Sequence, residues 1–291
     1  MTVALEDRTV TRRGSRLAGL AMMMGGAASN QTGAAIGAHA FDLIGPSGVV
    51  AVRQFVAASV LLPVVRPNFR RFTWAQWWPT ILLGTVFVAM NLTLYTAIDR
   101  IGLGLAVTLE FLGPLAVALA ASRSRLDLLC AAGAGAGVYV LVLPSGSSDW
   151  VGIGCGIVAA CCWASYILLN RLLGRRLPGL QATAAATTVA AVLTLPLVII
   201  LVVQGRMTPA ALAYGLAAGL MASVVPYVID LLALRRVPTG YFGVVMSVHP
   251  VFAALAGLVL LGQVLALHEW IGIAVVVAVN VVAVRQNAGR G

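Results

Sequence analysis

The sequence predicts an all-α integral membrane protein, with ten transmembrane helices arranged as two inverted five-helix repeats. Three observations predict it. Of 291 residues, 60% are hydrophobic and 10% charged, with a mean hydropathy of +0.98, whereas a soluble domain carries about 25% charged residues. Ten apolar runs follow one another, each near the roughly 20 residues that a helix needs to cross a bilayer. The arginines gather in alternate connections between those runs. Such a chain cannot cover a soluble surface, which excludes a cytosolic enzyme, a secreted disulfide scaffold and a disordered protein.

The runs are 17–40, 47–65, 77–98, 103–122, 126–143, 152–170, 181–203, 209–234, 239–262 and 268–284. All are expected to be helices, because a lipid-exposed backbone must satisfy its own hydrogen bonds and these runs are too long for barrel strands. They divide the chain into a tail (1–16), a first five-helix repeat (17–143), a loop (144–151), a second repeat (152–284) and a tail (285–291).

All 19 basic residues are arginine. Arg8, Arg12, Arg13 and Arg16 precede the first run. Arg66, Arg70 and Arg71 follow the second, Arg123 and Arg125 the fourth, and Arg171, Arg175 and Arg176 the sixth. Arg235 and Arg236 follow the eighth, and Arg285 and Arg290 the tenth. The opposite side holds Arg100 and Arg206 with Asp42, Asp99, Asp149 and Glu269. The positive-inside rule then places both termini in the cytoplasm of a bacterial inner membrane. It also accounts for most of the +10 net charge, so no nucleic-acid partner is expected. Arg12-Arg13, an apolar stretch and Ala38-His39-Ala40 also fit a twin-arginine signal peptide. The polar Ser29-Asn30-Gln31-Thr32 stretch argues against that, and cleavage would break the five-plus-five symmetry.

The symmetry rests on an offset of 136 residues. It lays spans 3–4 over spans 8–9, matching Pro114 to Pro250, Arg100 to Arg236, Gly104 to Gly240 and Ala97 to Ala233. The offset covers five helices, and an odd number inverts the second copy, as in secondary transporters that bind substrate near the midplane.

Three ionisable residues other than histidine lie well inside spans without a topological reason: Arg53, Glu110 and Asp230. Each costs about 2.5–3.5 kcal/mol at a helix centre, a cost associated with function or tight pairing. At about 1.5 Å per residue, Arg53 and Glu110 both lie roughly 10 Å below the outer ends of their helices. They can therefore be level and form a pair, either static or opened by a charged substrate or a proton. Asp230 lies five residues before Arg235, so either it reaches the interface or it serves a substrate amine or proton.

Prolines coincide with these charges. Pro114 gives no N–H to the Glu110 carbonyl, Pro226 none to Ala222, and Pro250 none to Met246, beside His249. Broken helices are tolerated at membrane depth where they line a cavity. Further candidate lining residues are Ser29, Asn30, Gln31 and Thr32; Asn91 and Tyr95; Trp163 and Tyr166; and Tyr227, Tyr241 and Ser247. His249 lies mid-span and is a third candidate for proton coupling beside Glu110 and Asp230. Gly133-x-x-x-Gly137 permits close helix packing, internally or in a homodimer. Cys130, Cys155, Cys161 and Cys162 form no CxxC pair and are expected to be buried. No metal or cofactor is expected.

Four segments carry a family resemblance: EFLGPLAVAL from Glu110, CWASYILL from Cys162, PYVIDLLAL from Pro226 and FGVVMSVHP ending at Pro250. They resemble the drug/metabolite transporter superfamily, within it the EamA branch, and most closely bacterial threonine/homoserine exporters, over roughly residues 17–285. The resemblance implies ten helices in two inverted repeats, cytoplasmic termini, and proton-coupled export of a small metabolite such as threonine or homoserine. It places Arg53, Glu110 and Asp230 at charged positions of the exporters, with Asp where Glu is usual. His249 departs from the pattern, which has an acid before that proline. A zwitterionic substrate needs a cation and an anion, which Arg53 with Glu110 or Asp230 can supply. Asn30, Asn91, Trp163 and Tyr227 complete the expected substrate site.

The alternatives differ in cargo or class. Trp163, Tyr166, Tyr227 and Tyr241 would suit aromatic amino acids, nucleosides or lipophilic amines. A membrane enzyme would need clustered acids, a His/Glu zinc motif or a nucleophile with its base, whereas the acids here are scattered one per helix. A channel would not move its cargo uphill. The expected partners are a small-molecule substrate, protons and the lipid bilayer.

Overall fold

The structure, a computed structural model, describes residues 2–120, 125–143, 149–178, 180–226, 228–229 and 246–288, with only the backbone for 2–18, 125–127 and 286–288. Every described part of the ten apolar runs is mainly helical, and no strand occurs among the described residues. The helices are α1 (Thr2–Ala38), α2 (Phe41–Val65), α3 (Trp74–Ile101), α4 (Leu103–Glu110), α5 (Leu112–Ala120), α6 (Arg125–Val142), α7 (Trp150–Gly174), α8 (Gln181–Val203), α9 (Pro209–Gly219), α10 (His249–Leu261) and α11 (Leu267–Ala288). Among the described residues, six stretches are long and apolar enough to cross a membrane, α4 and α5 together making one of them; three shorter apolar helices lie at Leu128–Val142, Pro209–Val224 and His249–Leu261. Large apolar side chains point outward along them, among them Leu128, Leu129, Val203, Val259 and Leu267. That surface suits lipid contact, and the protein is a multi-pass membrane protein.

Local chemistry sets the helix ends. Asp149 accepts from the Gly152 N–H at 2.9 Å and starts α7, and Thr208 accepts from the Ala211 N–H at 3.2 Å ahead of Pro209 to start α9. Gly45, at φ 72°, allows the sharp entry that precedes Pro46 and the membrane part of α2. Gly102, at φ 82°, turns α3 into α4, and the Leu103 N–H donates to Gln263 Oε1 at 2.9 Å. Gln263 lies after α10, so a residue of the second half caps a helix of the first.

Several expectations change in detail. The first helix extends through the tail predicted for 1–16, since no proline interrupts residues 2–16. The fourth run is two helices, broken at Phe111 three residues before Pro114. The eighth run loosens into a π turn, Leu220–Val224, just ahead of Pro226. Gly133 and Gly137 face Val279, Val275 and Val276 of α11, so this pair packs internally and offers no dimer face. Cys161 is exposed, unlike the buried Cys130, because it lies on the outer face of α7.

The core is uneven. One continuous apolar cluster fills the end of the bundle where α1 gives way to α2. Ala35, Val49, Val50, Tyr95, Ile98, Leu103 and Ala106 belong to it, and most are fully buried. A separate cluster at the opposite end joins the start of α3 to the end of α7 and the start of α8, through Leu83, Phe87, Leu173 and Ala186. A cavity lies between these two levels.

Candidate functional site

The cavity has a volume of about 140 Å³, close to the roughly 150 Å³ of an engineered cavity that holds benzene. It takes residues from α1, α2, α3, α4, α7 and the ends of α9 and α10. Eight of the residues predicted from sequence line it: Asn30, Gln31, Arg53, Asn91, Glu110, Trp163, Tyr166 and His249. Pro226 joins them. Asp230, Tyr227 and Tyr241 lie outside the described residues.

Arg53 is buried on α2 and held by three neutral partners. Its Nε donates to Ser223 Oγ at 2.7 Å, Nη1 to the Tyr95 hydroxyl at 3.2 Å, and Nη2 to the Ala222 carbonyl at 2.5 Å. The guanidinium also lies over the Tyr95 ring, 5.5 Å from its centroid. The level pairing of Arg53 with Glu110 is therefore not a direct ion pair. Among the described residues the single ion pair is Arg100–Asp149 at 2.9 Å. Three acceptors on the π turn and near the end of α3 hold the guanidinium instead.

Glu110 ends α4 at the helix break, fully enclosed, and its carboxylate accepts no hydrogen bond among the described residues. His249 opens α10 with Pro250 behind it, its Nδ1 3.2 Å from Gln31 Nε2 and its ring 5.5 Å from Phe111. Phe111 in turn meets Trp163 edge to face at 4.5 Å. Asn91 donates its amide to the Phe87 carbonyl at 2.8 Å, one turn back on α3. The Asn30 amide and the Trp163 indole N–H take no partner among the described residues. The cavity thus combines a cation held by three hydrogen bonds, an acid without hydrogen bonds among the described residues, three amides and an aromatic wall, a set that suits a small polar ligand with both charges.

Sequence inspection missed the apolar wall of Phe87, Met90 and Leu94. Their spacing with Asn91 marks one face of α3, a pattern that could have assigned them. It also missed Ser223, which carries no mark in the sequence beyond lying three residues before Pro226.

Known proteins share this architecture. A solved crystal structure superposes with a TM-score of 0.61 over 93% of this chain and 98% of its own, at 15% identity, which establishes a common fold. The threonine/homoserine exporter RhtA of Escherichia coli K12 is 31% identical over 257 residues, 87% of this chain and 86% of its own length, and that of Salmonella typhimurium LT2 matches equally over 256 residues. The uncharacterized transporter YwfM of Bacillus subtilis is 27% identical over 126 residues, 43% of each chain. The profile of the EamA-like transporter family matches residues 150–285. With its helical membrane fold and its relatives, the chain belongs to the EamA-like transporter family of the drug/metabolite transporter superfamily.

Proposed function

We propose that the protein exports a small amino acid, threonine or homoserine, across the bacterial inner membrane by proton-coupled alternating access. One observation carries this: Arg53 and Glu110 line the same small cavity without pairing to each other. A zwitterion fits that arrangement, its carboxylate on Arg53 and its ammonium on Glu110. Asn30, Asn91 and Trp163 are the polar contacts around it, and Tyr227 and Asp230 are assigned to the same substrate site. The similarity to exporters of threonine and homoserine supports the same cargo.

The architecture that goes with this is ten helices in two inverted repeats, 17–143 and 152–284, with both termini cytoplasmic. The packing of α4 against α10 supports it, because they belong to the fourth and ninth runs, which the 136-residue offset equates. Gly104 lies so near that a Cβ built on it would be 3.1 Å from the Ala254 Cα. The cluster at the α1–α2 end then seals the outer side. Glu110, Asp230 and His249 are the proton carriers of the cycle. His249 stands at the break of its helix as Glu110 stands at the break of α4.

The test is export from cells lacking their own threonine exporters. Expression is expected to lower internal threonine or homoserine and to raise tolerance to both, and an uncoupler is expected to abolish the gradient. Unchanged tolerance with loss of aromatic amino acids from the cell would favour a second cargo, which the wall of Phe87, Trp163 and Tyr166 could accommodate.

A further inference from the structure

Two adjacent carbonyls of the π turn lack their α-helical donors. The Val225 N–H reaches back five residues to Leu220, so it does not serve Met221. Pro226 has no N–H to return to Ala222. Both oxygens are taken up by other helices. Ser29 of α1 donates to the Met221 carbonyl at 2.9 Å, and Arg53 of α2 donates to the Ala222 carbonyl at 2.5 Å. One residue further on, Ser223 accepts from Arg53 Nε at 2.7 Å. α1 can lie directly on this turn because Gly33 has no side chain, and a Cβ there would be 2.7 Å from the Ala222 nitrogen.

We propose that this π turn, with Pro226 as its positioning residue, holds the Arg53 guanidinium ready to receive a substrate carboxylate end-on. A guanidinium carries five N–H groups, and three of the nitrogens' donors are committed to Ser223, Tyr95 and Ala222. One N–H on each terminal nitrogen remains, and an end-on carboxylate takes one N–H from each of those two nitrogens. The Nε edge is closed by Ser223, which excludes the side-on mode. A free arginine side chain loses considerable rotamer freedom when a ligand fixes it; here the turn has fixed it beforehand, so binding carries less of that cost. Pro226 protects the arrangement, since any other residue would bring an N–H to compete with Arg53 for the Ala222 carbonyl.

The carboxylate ligand rests on the proposed amino acid export; the positioning of Arg53 does not. Two measurements on the purified full-length protein separate them. The first, in proteoliposomes, follows threonine counterflow by the wild type and Pro226→Ala. The expected result is a KM raised about tenfold, the scale of one charge-assisted hydrogen bond, with the maximal rate within about twofold. A lowered maximal rate at unchanged KM would overturn the role in carboxylate binding. The second needs no substrate: thermal midpoints of the wild type, Pro226→Ala, Arg53→Gln and the double variant. In the wild-type background Pro226→Ala introduces a competitor and should not stabilise. In the Arg53→Gln background the new N–H satisfies an orphaned carbonyl and should raise the midpoint. Additive shifts around this cycle would overturn the positioning. Coupled midpoints in a protein that moves neither threonine nor homoserine would sink the amino acid cargo and leave the positioning of Arg53 standing.

Discussion

Two proline-broken segments border the cavity, and they end differently. In the α4–α5 segment the break at Phe111 leaves Glu110 at a helix end, and its carboxylate finds no hydrogen bond among the described residues. In the α9 segment the π turn frees the carbonyls of Met221 and Ala222, and Ser29 and Arg53 immediately occupy them. The same local device, a proline that withholds an N–H, thus accompanies a cation held by three hydrogen bonds on one side and an acid with none among the described residues on the other. A fixed cation suits recognition of a ligand group that must always be bound in one place. An acid without fixed partners suits a group that exchanges a proton or an ammonium ion during a cycle, because no other bond has to break first.

The sharpest way to break this contrast is to neutralise each charge in turn. Arg53→Gln leaves the Ala222 carbonyl and the Ser223 and Tyr95 hydroxyls without their donor, and each orphaned buried group costs about 1–3 kcal/mol. Export should fall at least about 100-fold, near 3 kcal/mol of lost binding and transition-state energy, and the thermal midpoint should drop. Glu110→Gln is nearly isosteric and removes no hydrogen bond. Its midpoint should stay within a few degrees of the wild type, uphill export should collapse, and threonine counterflow should persist only with a raised KM, since the ammonium loses its anion. Equal destabilisation by the two substitutions would show that Glu110 is as fixed as Arg53 and remove the distinction.

A smaller effect is expected where α1 lies on the π turn. Gly33→Ala places a methyl 2.7 Å from the Ala222 nitrogen, where backbone has to shift, and overpacking of this kind costs about 1–3 kcal/mol. The displacement should also loosen Arg53 and raise the KM for threonine. Gly25→Ala is the control, since a Cβ there meets nothing within 4 Å. If the two variants melt alike and transport alike, close packing of α1 does not support the turn.

The sequence disclosed most of this site, for reasons that differ by residue. Arg53 and Glu110 stood out because charge is costly at membrane depth, and that cost depends on composition and position alone. Pro226 marked the Ala222 carbonyl because a missing N–H is a local property of the chain. What captured that carbonyl was not legible, since contacts between α2 and α9 span about 170 residues and no local rule encodes them. For the same reason a level Arg53–Glu110 pair looked available: depth along a helix can be counted, whereas the direction in which a long side chain leans is decided by its neighbours. The GxxxG pair showed that α6 packs closely on something, and only tertiary structure identified α11.

The weakest test concerns an ionic contact at the surface, far from this contrast in energy though not in kind. Asp149 accepts from the Gly152 N–H and from Arg100 Nη1, both at 2.9 Å. Those two contacts, the backbone hydrogen bond foremost, hold its carboxyl below the ordinary value of 3.8. A lowered folded-state value means the contribution to stability is complete above the unfolded value and is lost as pH falls through the folded one. The wild type should therefore lose a small part of its thermal stability below about pH 4, and the loss at neutral pH on adding salt should be slight, because exposed pairs are strongly screened. Asp149→Asn keeps a good helix cap and removes the charge, so it should flatten that acid limb while leaving transport unchanged. A steep acid limb that survives in Asp149→Asn would assign it to another carboxylate. A large loss of transport would mean that this surface link between the ends of α3 and α7 takes part in closing the outer side, and a fixed ion pair would then matter as much there as the fixed cation does inside.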